Sequence, residues 1–199
     1  MIYEALQIIT NQLNDYLANG STTPVAVVAN VADTDFSDAV EDLAEKVIVS
    51  LLNLEEEETL KNGPYYTKES GSTIYHNAPI HLNVYLLVSV NITPYKEAIR
   101  QLSRVIEFFQ GKHLFTQNNT PITPDMDVTL EAGESFRFMM DFYSLSLEGS
   151  INLWSNLNSK RLPCVYYKLR ILEIQRSSIT EERGVIYENQ LNHQIGFGQ

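Results

Sequence analysis

The sequence predicts an α+β fold with a single mixed or antiparallel sheet covered by helices. Two patterns support this prediction. Stretches in which large apolar residues alternate with polar ones are typical of strands, and stretches in which apolar residues recur every three to four positions are typical of helices. Along the chain these stretches occur in the order helix, two strands, a central strand, helix, strand, short helix and final strand.

The chain opens with a predicted amphipathic helix. Its apolar residues step by three and four positions along one stripe, which requires another element to pack against. Asn19 and Gly20 can end the helix through a residue in the left-handed conformation. The residues of the stripe are Ile2, Leu6, Ile9, Leu13 and Leu17.

Two strand candidates follow the first helix. The segment PVAVVANVAD has apolar residues at alternate positions, and KVIVSLLNLEEE begins as a nearly continuous apolar run before it turns acidic. The polar segment DTDFSDAVEDLAE between them is compatible with a single helical turn or a loop. The residues expected on one face of the first strand are Val25, Val27, Ala29 and Val31.

The segment IHLNVYLLVSVN is the clearest strand of the sequence, and its sustained alternation predicts a central position in the sheet. A helix is predicted directly after it. Thr93 is the expected N-cap, Pro94 lies in the first turn where its missing N–H costs nothing, and Gly111 ends the helix. The stripe expected to be buried comprises Ile99, Leu102, Ile106 and Phe109.

A strand and a short helix are predicted next. The segment FRFMMDFYSLSL alternates, and the apolar residues after it recur at helical spacing until Pro163 forbids a further turn. The residues expected on one face of the strand are Phe136, Phe138, Met140 and Phe142. Those expected on one face of the helix are Leu147, Ile151, Trp154 and Leu157.

The last predicted strand, CVYYKLRILEI, has the pattern of a strand in a sheet with one buried face. The residues expected to face the core are Val165, Tyr167, Leu169 and Ile171, and those expected to face outward are Tyr166, Lys168 and Arg170. Two long polar stretches, residues 61–78 and 112–134, are typical of surface loops. The expected organisation is one domain over residues 1–175 and a tail over residues 176–199 that is either disordered or adds a strand to a neighbouring subunit.

Composition excludes several classes of function. The 14 basic and 25 acidic residues give a net charge of −11, which disfavours electrostatic binding of nucleic acid or anionic lipid. Cys164 is the single cysteine, which rules out an intrachain disulfide and fits a reducing compartment. No apolar run is long enough to span a membrane, and the N-terminus lacks the features of a signal peptide. We therefore expect a protein that stays in the cytoplasm unless a larger particle carries it out.

Catalytic and cofactor motifs are not recognisable in the sequence. The acidic run Glu55 to Glu58 lies in a predicted strand, where successive side chains point to opposite faces and cannot converge on a metal ion. The four histidines do not form a zinc-binding pattern, and neither a nucleophile elbow nor a glycine-rich phosphate loop occurs. We expect no catalytic residue, no cofactor and no metal, and the sequence favours an interaction protein over an enzyme.

Four segments, taken in order, resemble one protein family. They are VIVSLLNLEEEETLKN, PIHLNVYLLVSVN, YKEAIRQLSRVIEFFQ and SLSLEGSINLWSNLNSKRLPCVYYKLRILEI. Together with the opening MIYEALQIITNQLNDYL, they are similar to the tail-terminator or cap proteins of contractile injection systems. These systems are phage-tail-like particles related to extracellular toxin-delivery devices and to type VI secretion.

The resemblance implies a structural role. Tail terminators of this family assemble as six-membered rings on the last ring of the inner tube and the last layer of sheath, which stops polymerisation and sets the particle length. The expected partners are other copies of this chain and the sheath and tube proteins, with no nucleic acid and no insertion into a membrane. The expected location is the cytoplasm during assembly and then a particle that is either released or anchored to an envelope.

The same resemblance implies candidate contact residues for the ring or the sheath. They are Leu54, Glu55, Glu56, Glu57, Glu58, Lys168, Arg170, Val185, Ile186 and Tyr187. Two other hypotheses remain open on the sequence alone. One is a small adaptor or binding domain of the same fold, associated with the particle or its effectors, and the other is a metal-dependent hydrolase built on the glutamate run.

Overall fold

A computed structural model describes residues 1–18, 25–35, 43–58, 66–69, 72–76, 80–122, 128, 136–157, 159–174 and 179–184. The helices of these residues are α1 (Ile2–Leu17), α2 (Tyr95–Gly111) and α3 (Leu147–Leu157), with a 3-10 turn at Val31–Asp35. The strands are β1 (Ala26–Val28), β2 (Lys46–Glu56), β3 (Tyr66–Glu69), β4 (Ser72–His76), β5 (Ile80–Asn91), β6 (Leu114–Thr116), β7 (Arg137–Phe142), β8 (Cys164–Ile174) and β9 (Ile179–Gly184).

Six strands form the main sheet, in the order β1-β2-β5-β8-β7-β6. β1 runs parallel to β2, whereas every other neighbouring pair is antiparallel. The sheet is therefore mixed, and the predicted α+β class is confirmed. β5 is paired on both sides, so its predicted central position is also confirmed.

The main sheet has two faces with different coverings. Val84, Leu86 and Val88 lie on the face that packs against α1 and α2 in the larger apolar core, which we call the inner face. We call the opposite face the outer face. There Leu87 belongs to a second apolar cluster with Trp154 of α3 and Val31 of the 3-10 turn. Helices on both faces explain why the middle of β5 is buried on each side.

The prediction of a sheet with one buried face is therefore wrong for β8. Val165, Tyr167 and Leu169 belong to the inner core as expected, but Tyr166 is buried in the outer core. Its hydroxyl lies 2.8 Å from the Ser150 hydroxyl of α3, which provides the polar partner that a buried phenol needs. Among the described residues, α3, the 3-10 turn and Leu43 cover the buried part of the outer face.

α2 and α3 are rotated relative to the predicted stripes. In α2 Leu102 and Phe109 pack against the core as predicted, whereas Ile99 and Ile106 are exposed. In α3 Trp154 is buried and Leu157 is partly buried, whereas Leu147 and Ile151 are exposed. The buried positions of α2 are Ala98, Val105, Phe108 and Phe109, and those of α3 are Ser150 and Trp154. Each helix has an apolar arc wider than the sheet can cover, which is why four predicted core residues remain exposed.

The ends of several elements also differ from the predictions. Pro94, not Thr93, is the N-cap of α2, and its carbonyl accepts the N–H of Glu97 at 2.8 Å. Gly111 is the last helical residue, as predicted. Val31 lies beyond β1 in the 3-10 turn, where its N–H donates to the side-chain hydroxyl of Ser50 on β2 at 3.1 Å. Asn19 and Gly20, the predicted end of α1, lie outside the described residues.

A second sheet, of three strands in the order β3-β4-β9, lies in segments predicted to be loop or tail. β3 and β4 pair as an antiparallel hairpin within residues 61–78, and β9 pairs with β4. β6 likewise lies within the predicted loop 112–134 and pairs with β7. The loop predictions are wrong at these strands, since backbone pairing compensates for their polar composition. The division into residues 1–175 and 176–199 stays a prediction.

Candidate interaction surface

A β-bulge in β2 determines where its acidic end points. The pairing of β2 with β5 shifts between Leu51 and Asn53, and beyond the shift Glu55 lies opposite Asn83. Because side chains alternate along a strand, Glu55 and Glu57 project from the outer face, while Leu54 and Glu56 project from the inner face. The acidic run is thus divided between the two faces, as its position in a strand predicted.

The outer-face carboxylates are held by side chains of β5. The Tyr85 hydroxyl donates to Glu55 Oε2 at 2.7 Å, and Asn83 Nδ2 donates to Glu57 Oε2 at 2.8 Å. Lys168 lies opposite Tyr85 on β8, with its Nζ 5.4 Å from the centre of the Tyr85 ring. Tyr143 packs edge-on against the same ring at a centroid distance of 5.0 Å. Tyr85 is therefore the centre of a cluster that combines both charges with two aromatic rings.

Arg170 extends this cluster toward the edge of the sheet. Its side chain forms an ion pair with Asp141 of β7, which itself lies opposite Lys168. Both partners are substantially solvent-exposed, so the pair contributes at most about 1 kcal/mol to stability. Its clearer effect is to orient two charges on a solvent-accessible part of the outer face.

The predicted contact residues fall into three groups. Glu55, Glu57, Lys168 and Arg170 lie together on the outer face around Tyr85. Leu54 and Glu56 lie on the inner face, and Glu58 follows β2 as an exposed residue. Val185, Ile186 and Tyr187 lie outside the described residues.

Sequence reasoning missed Asn83, Tyr85 and Tyr143. The signal for the first two was present, because they are the polar and aromatic positions that alternate with the apolar residues of β5. Their pairing with the acidic end of β2 depends on the register, which the sequence does not display.

Electrostatics within the cluster alter the ionisation of Tyr85. The hydrogen bond to Glu55 raises the pKa of Tyr85 to about 12, and burial adds to the effect. The neutral phenol is thus favoured by the fold. Its stabilising contribution is complete below the ordinary tyrosine pKa of about 10 and is lost as the pH rises through about 12.

We expect Glu55→Gln to lower the pKa of Tyr85 toward its ordinary value, because the charged acceptor is replaced by a neutral one. Ultraviolet absorbance of tyrosinate during alkaline titration measures this change, and the difference between the wild type and Glu55→Gln isolates Tyr85 from the other tyrosines. Glu56→Gln, on the opposite face, is the matched control and should leave the curve unchanged. Identical curves for wild type and Glu55→Gln would contradict the assigned hydrogen bond.

The described residues bring no three His, Cys, Asp or Glu side chains together in a way that could hold a metal ion. Within the same residues, no helix is both long enough and apolar enough to cross a membrane. The cluster around Tyr85 contains two tyrosines and extends to Arg170, and aromatic residues and arginine are enriched at protein interfaces.

Comparison with known proteins identifies the family. The family model described as Pvc16 N-terminal domain matches residues 4–188. The PVC sheath/tube terminator in the extended state, from an extracellular contractile injection system, has 13% sequence identity and a TM-score of 0.59, over 95% of this chain and 61% of that one. The anti-feeding prophage cap, described as the AFP tube terminating cap, has 16% identity and a TM-score of 0.60, over 93% of this chain and 58% of that one. No curated protein matches significantly.

Both solved structures were determined by cryo-electron microscopy, and this chain spans about three fifths of the length of each. At such low identity the likeness establishes a shared fold. The family match covers most of the sequence, from the first turn of α1 to beyond the end of β9. The chain therefore belongs to the Pvc16 N-terminal domain family.

Proposed function

We propose that this chain is a structural cap that terminates the inner tube and contractile sheath of a contractile injection system and thereby sets its length. One observation carries the proposal: the fold of nearly the whole chain is shared with a sheath/tube terminator and a tube terminating cap. Membership of the Pvc16 N-terminal domain family supports it independently of the fold. The role is non-catalytic.

The proposed mechanism is geometric. Copies of the chain form a ring of about six, as the resemblance of the sequence implies, and one side of the ring matches the growing end of tube and sheath. The opposite side provides no site for another layer, so polymerisation stops. Ring closure requires that each copy use two different surfaces for its two neighbours.

The cluster around Tyr85 suits a contact with sheath, tube or a neighbouring copy. Tyrosine and arginine are enriched among the residues that dominate binding energy at interfaces, and Tyr85, Tyr143 and Arg170 lie within one solvent-accessible area. The acidic residues Glu55 and Glu57 favour a partner with a basic surface. Leu54 and residues 185–187 remain further candidates. We propose residues 1–175 as the domain and residues 176–199 as its C-terminal tail.

Particle length tests the proposal. We expect particles assembled without this chain to have tubes or sheaths of uncontrolled length, or to fail in assembly, because nothing stops subunit addition. Length distributions from electron micrographs measure the effect. Restoring the wild-type chain should restore a single length. Particles of normal length in its absence, or intact particle ends from which the chain is missing, would overturn the proposal in favour of an adaptor.

A further inference from the structure

The main sheet ends at two short strands, β1 on one side and β6 on the other. An outermost strand has backbone N–H and C=O groups that point away from its neighbour in the sheet. Such groups can pair with an extended segment of another chain, which makes an outer strand a site of strand addition. The hydrogen bonds of β1 and β6 show what occupies these groups.

In β1 the outward groups belong to Ala26. The Val25 carbonyl accepts the N–H of Val47 on β2 at 2.8 Å, and the two groups of a trans peptide point in opposite directions, so the Ala26 N–H points away from β2. That N–H donates to Asn14 Oδ1 of α1 at 2.6 Å, and Asn14 Nδ2 donates to the Ala26 carbonyl at 2.8 Å. The Asn14 side chain thus makes the two hydrogen bonds that a residue of an antiparallel neighbouring strand would make.

In β6 the outward groups belong to Leu114 and Thr116. Met140 of β7 donates its N–H to the His113 carbonyl at 2.8 Å, and the alternation of the antiparallel ladder then turns Leu114 and Thr116 away from β7. Asn119 Nδ2 donates to the Leu114 carbonyl at 2.9 Å, and Asn119 Oδ1 accepts the Thr116 N–H at 2.9 Å. The Asn119 carboxamide therefore lies where a peptide group of a further strand would lie.

Other hydrogen bonds hold Asn119 in this position. The hydroxyl of the buried Thr120 donates to Asn119 Oδ1 at 2.8 Å. The Thr116 carbonyl accepts the N–H of Asn119 at 3.1 Å and that of Thr120 at 3.0 Å. Lys112 Nζ donates to the Asn119 carbonyl at 3.1 Å. An incoming strand would have to displace this whole turn before it could pair with β6.

A primary carboxamide suits both places because, like a peptide group, it has an acceptor oxygen and an N–H donor. It satisfies the outward backbone groups, and no further backbone continues from it along the strand. We propose that Asn14 and Asn119 close the two outer strands of the main sheet against strand addition by another chain.

The closure restricts how this chain meets its partners. An extended tail of a neighbouring copy finds no place beside β1 or β6, so contacts with the main sheet are made by side chains on its faces, such as the cluster around Tyr85. The inference does not depend on the proposed function, since it concerns the edges of the fold in any role that the chain has.

Asn119→Ala tests the closure of β6. We expect the opened strand to pair with β6 of a second copy, so that the weight-average mass in sedimentation equilibrium rises with concentration above that of the wild type. Asn30→Ala is the matched control and should keep the wild-type mass, because Asn30 Oδ1 also accepts a backbone N–H, that of Ala32 at 3.1 Å, but not on an outer strand. A mass of Asn119→Ala equal to that of the wild type at every concentration would overturn the closure of β6.

A second substitution distinguishes strand pairing from aggregation of unfolded chains. Thr116→Pro removes the outward N–H of β6, which β7 does not use, and proline is tolerated on an edge strand in that orientation. Added to Asn119→Ala, it should return the mass to that of the wild type, whereas aggregation through unfolding would persist or increase. Amide hydrogen exchange gives a local measurement: Asn119→Ala should speed the exchange of the Thr116 amide about fivefold, the ratio expected from the net contribution of one hydrogen bond.

Asn14→Ala applies the mass measurement to β1, and we expect a rise with concentration there as well. Leu13→Ala is the control for lost stability, because Leu13 is fully buried on the same helix and its truncation leaves the hydrogen bonds of Asn14 in place. Association of both variants to the same extent, or of neither, would overturn the closure of β1. These outcomes leave the proposed function intact, whereas normal particle length in the absence of the chain refutes the proposed function and not the closure.

Discussion

Phe138→Ala is expected to lower the free energy of unfolding by about 3–5 kcal/mol, because it leaves a large cavity in the inner core. The Phe138 side chain is 1% exposed and lies on β7 between two other aromatic rings. Its ring stacks with Phe115 of β6 at a centroid distance of 5.3 Å and with Phe136 at 5.7 Å. The substitution thus removes contacts that hold the edge strand β6 as well as buried apolar area.

The same strand provides the control for Phe138. Phe142 lies four residues later, on the same face, and is 59% exposed, with an edge-on contact to Tyr167 at a centroid distance of 5.8 Å. Phe142→Ala should cost about 1 kcal/mol, since the exposed Phe142 side chain buries little area and an aromatic pair contributes on the order of 0.5–1.5 kcal/mol beyond it. Urea denaturation followed by circular dichroism compares the two variants. Equal losses of stability would contradict the assignment of Phe138 to the core and Phe142 to the surface.

Asn14→Ala is expected to cost about 3 kcal/mol, because one side chain satisfies three backbone groups of the segment that enters β1. Asn14 Oδ1 accepts the N–H of Val25 at 2.8 Å and that of Ala26 at 2.6 Å. Asn14 Nδ2 donates to the carbonyl of Ala26 at 2.8 Å. Ala26 is buried, so water cannot replace these bonds without disturbing the contact between α1 and the sheet.

Asn14→Asp separates the two kinds of hydrogen bond. Aspartate keeps the acceptor for both amides but replaces the donor to the Ala26 carbonyl with a second oxygen, so we expect a loss of about 2 kcal/mol, smaller than that of the alanine variant. Urea denaturation midpoints, compared at a constant m-value, measure the loss of stability in each variant. Amide hydrogen exchange of Val25 and Ala26 measures the local effect on the start of β1. If Asn14→Ala is no more destabilising than Asn14→Asp, the two amide bonds do not hold β1 in place.

Local patterns predicted most elements of the main sheet. The step of three and four residues located α1, and the alternation of IHLNVYLLVSVN located β5 and its central position. The hairpin β3–β4 was missed, although Tyr and Thr, which favour strands, occur in both of its strands. The polar composition predicted a loop there, but backbone hydrogen bonds between neighbouring strands stabilise these polar strands. Composition carries no information on strand pairing.

The candidate surface was only partly predictable. The acidic run of β2 and the basic residues of β8 were visible in the sequence, but their meeting at Tyr85 was not. That meeting depends on the shifted register between β2 and β5 after Leu51 and on the pairing of Lys168 with both neighbouring strands. Register is a property of strands far apart in the chain, so no local pattern could supply it.

The amino-acid sequence by itself determined the periodicity of each element and the α+β class, because backbone geometry imposes a repeat on any strand or helix. The resemblance to tail terminators came from the sequence as well, through segments that occur in the same order. Only the tertiary structure decided which part of each repeat is buried. Tyr166 is covered because α3 lies above it, while Ile99 and Leu147 are exposed because none of the elements that the structure describes reaches their side of the helix. Coverage depends on the packing of distant segments, and the same apolar residue becomes core or contact surface according to what lies over it.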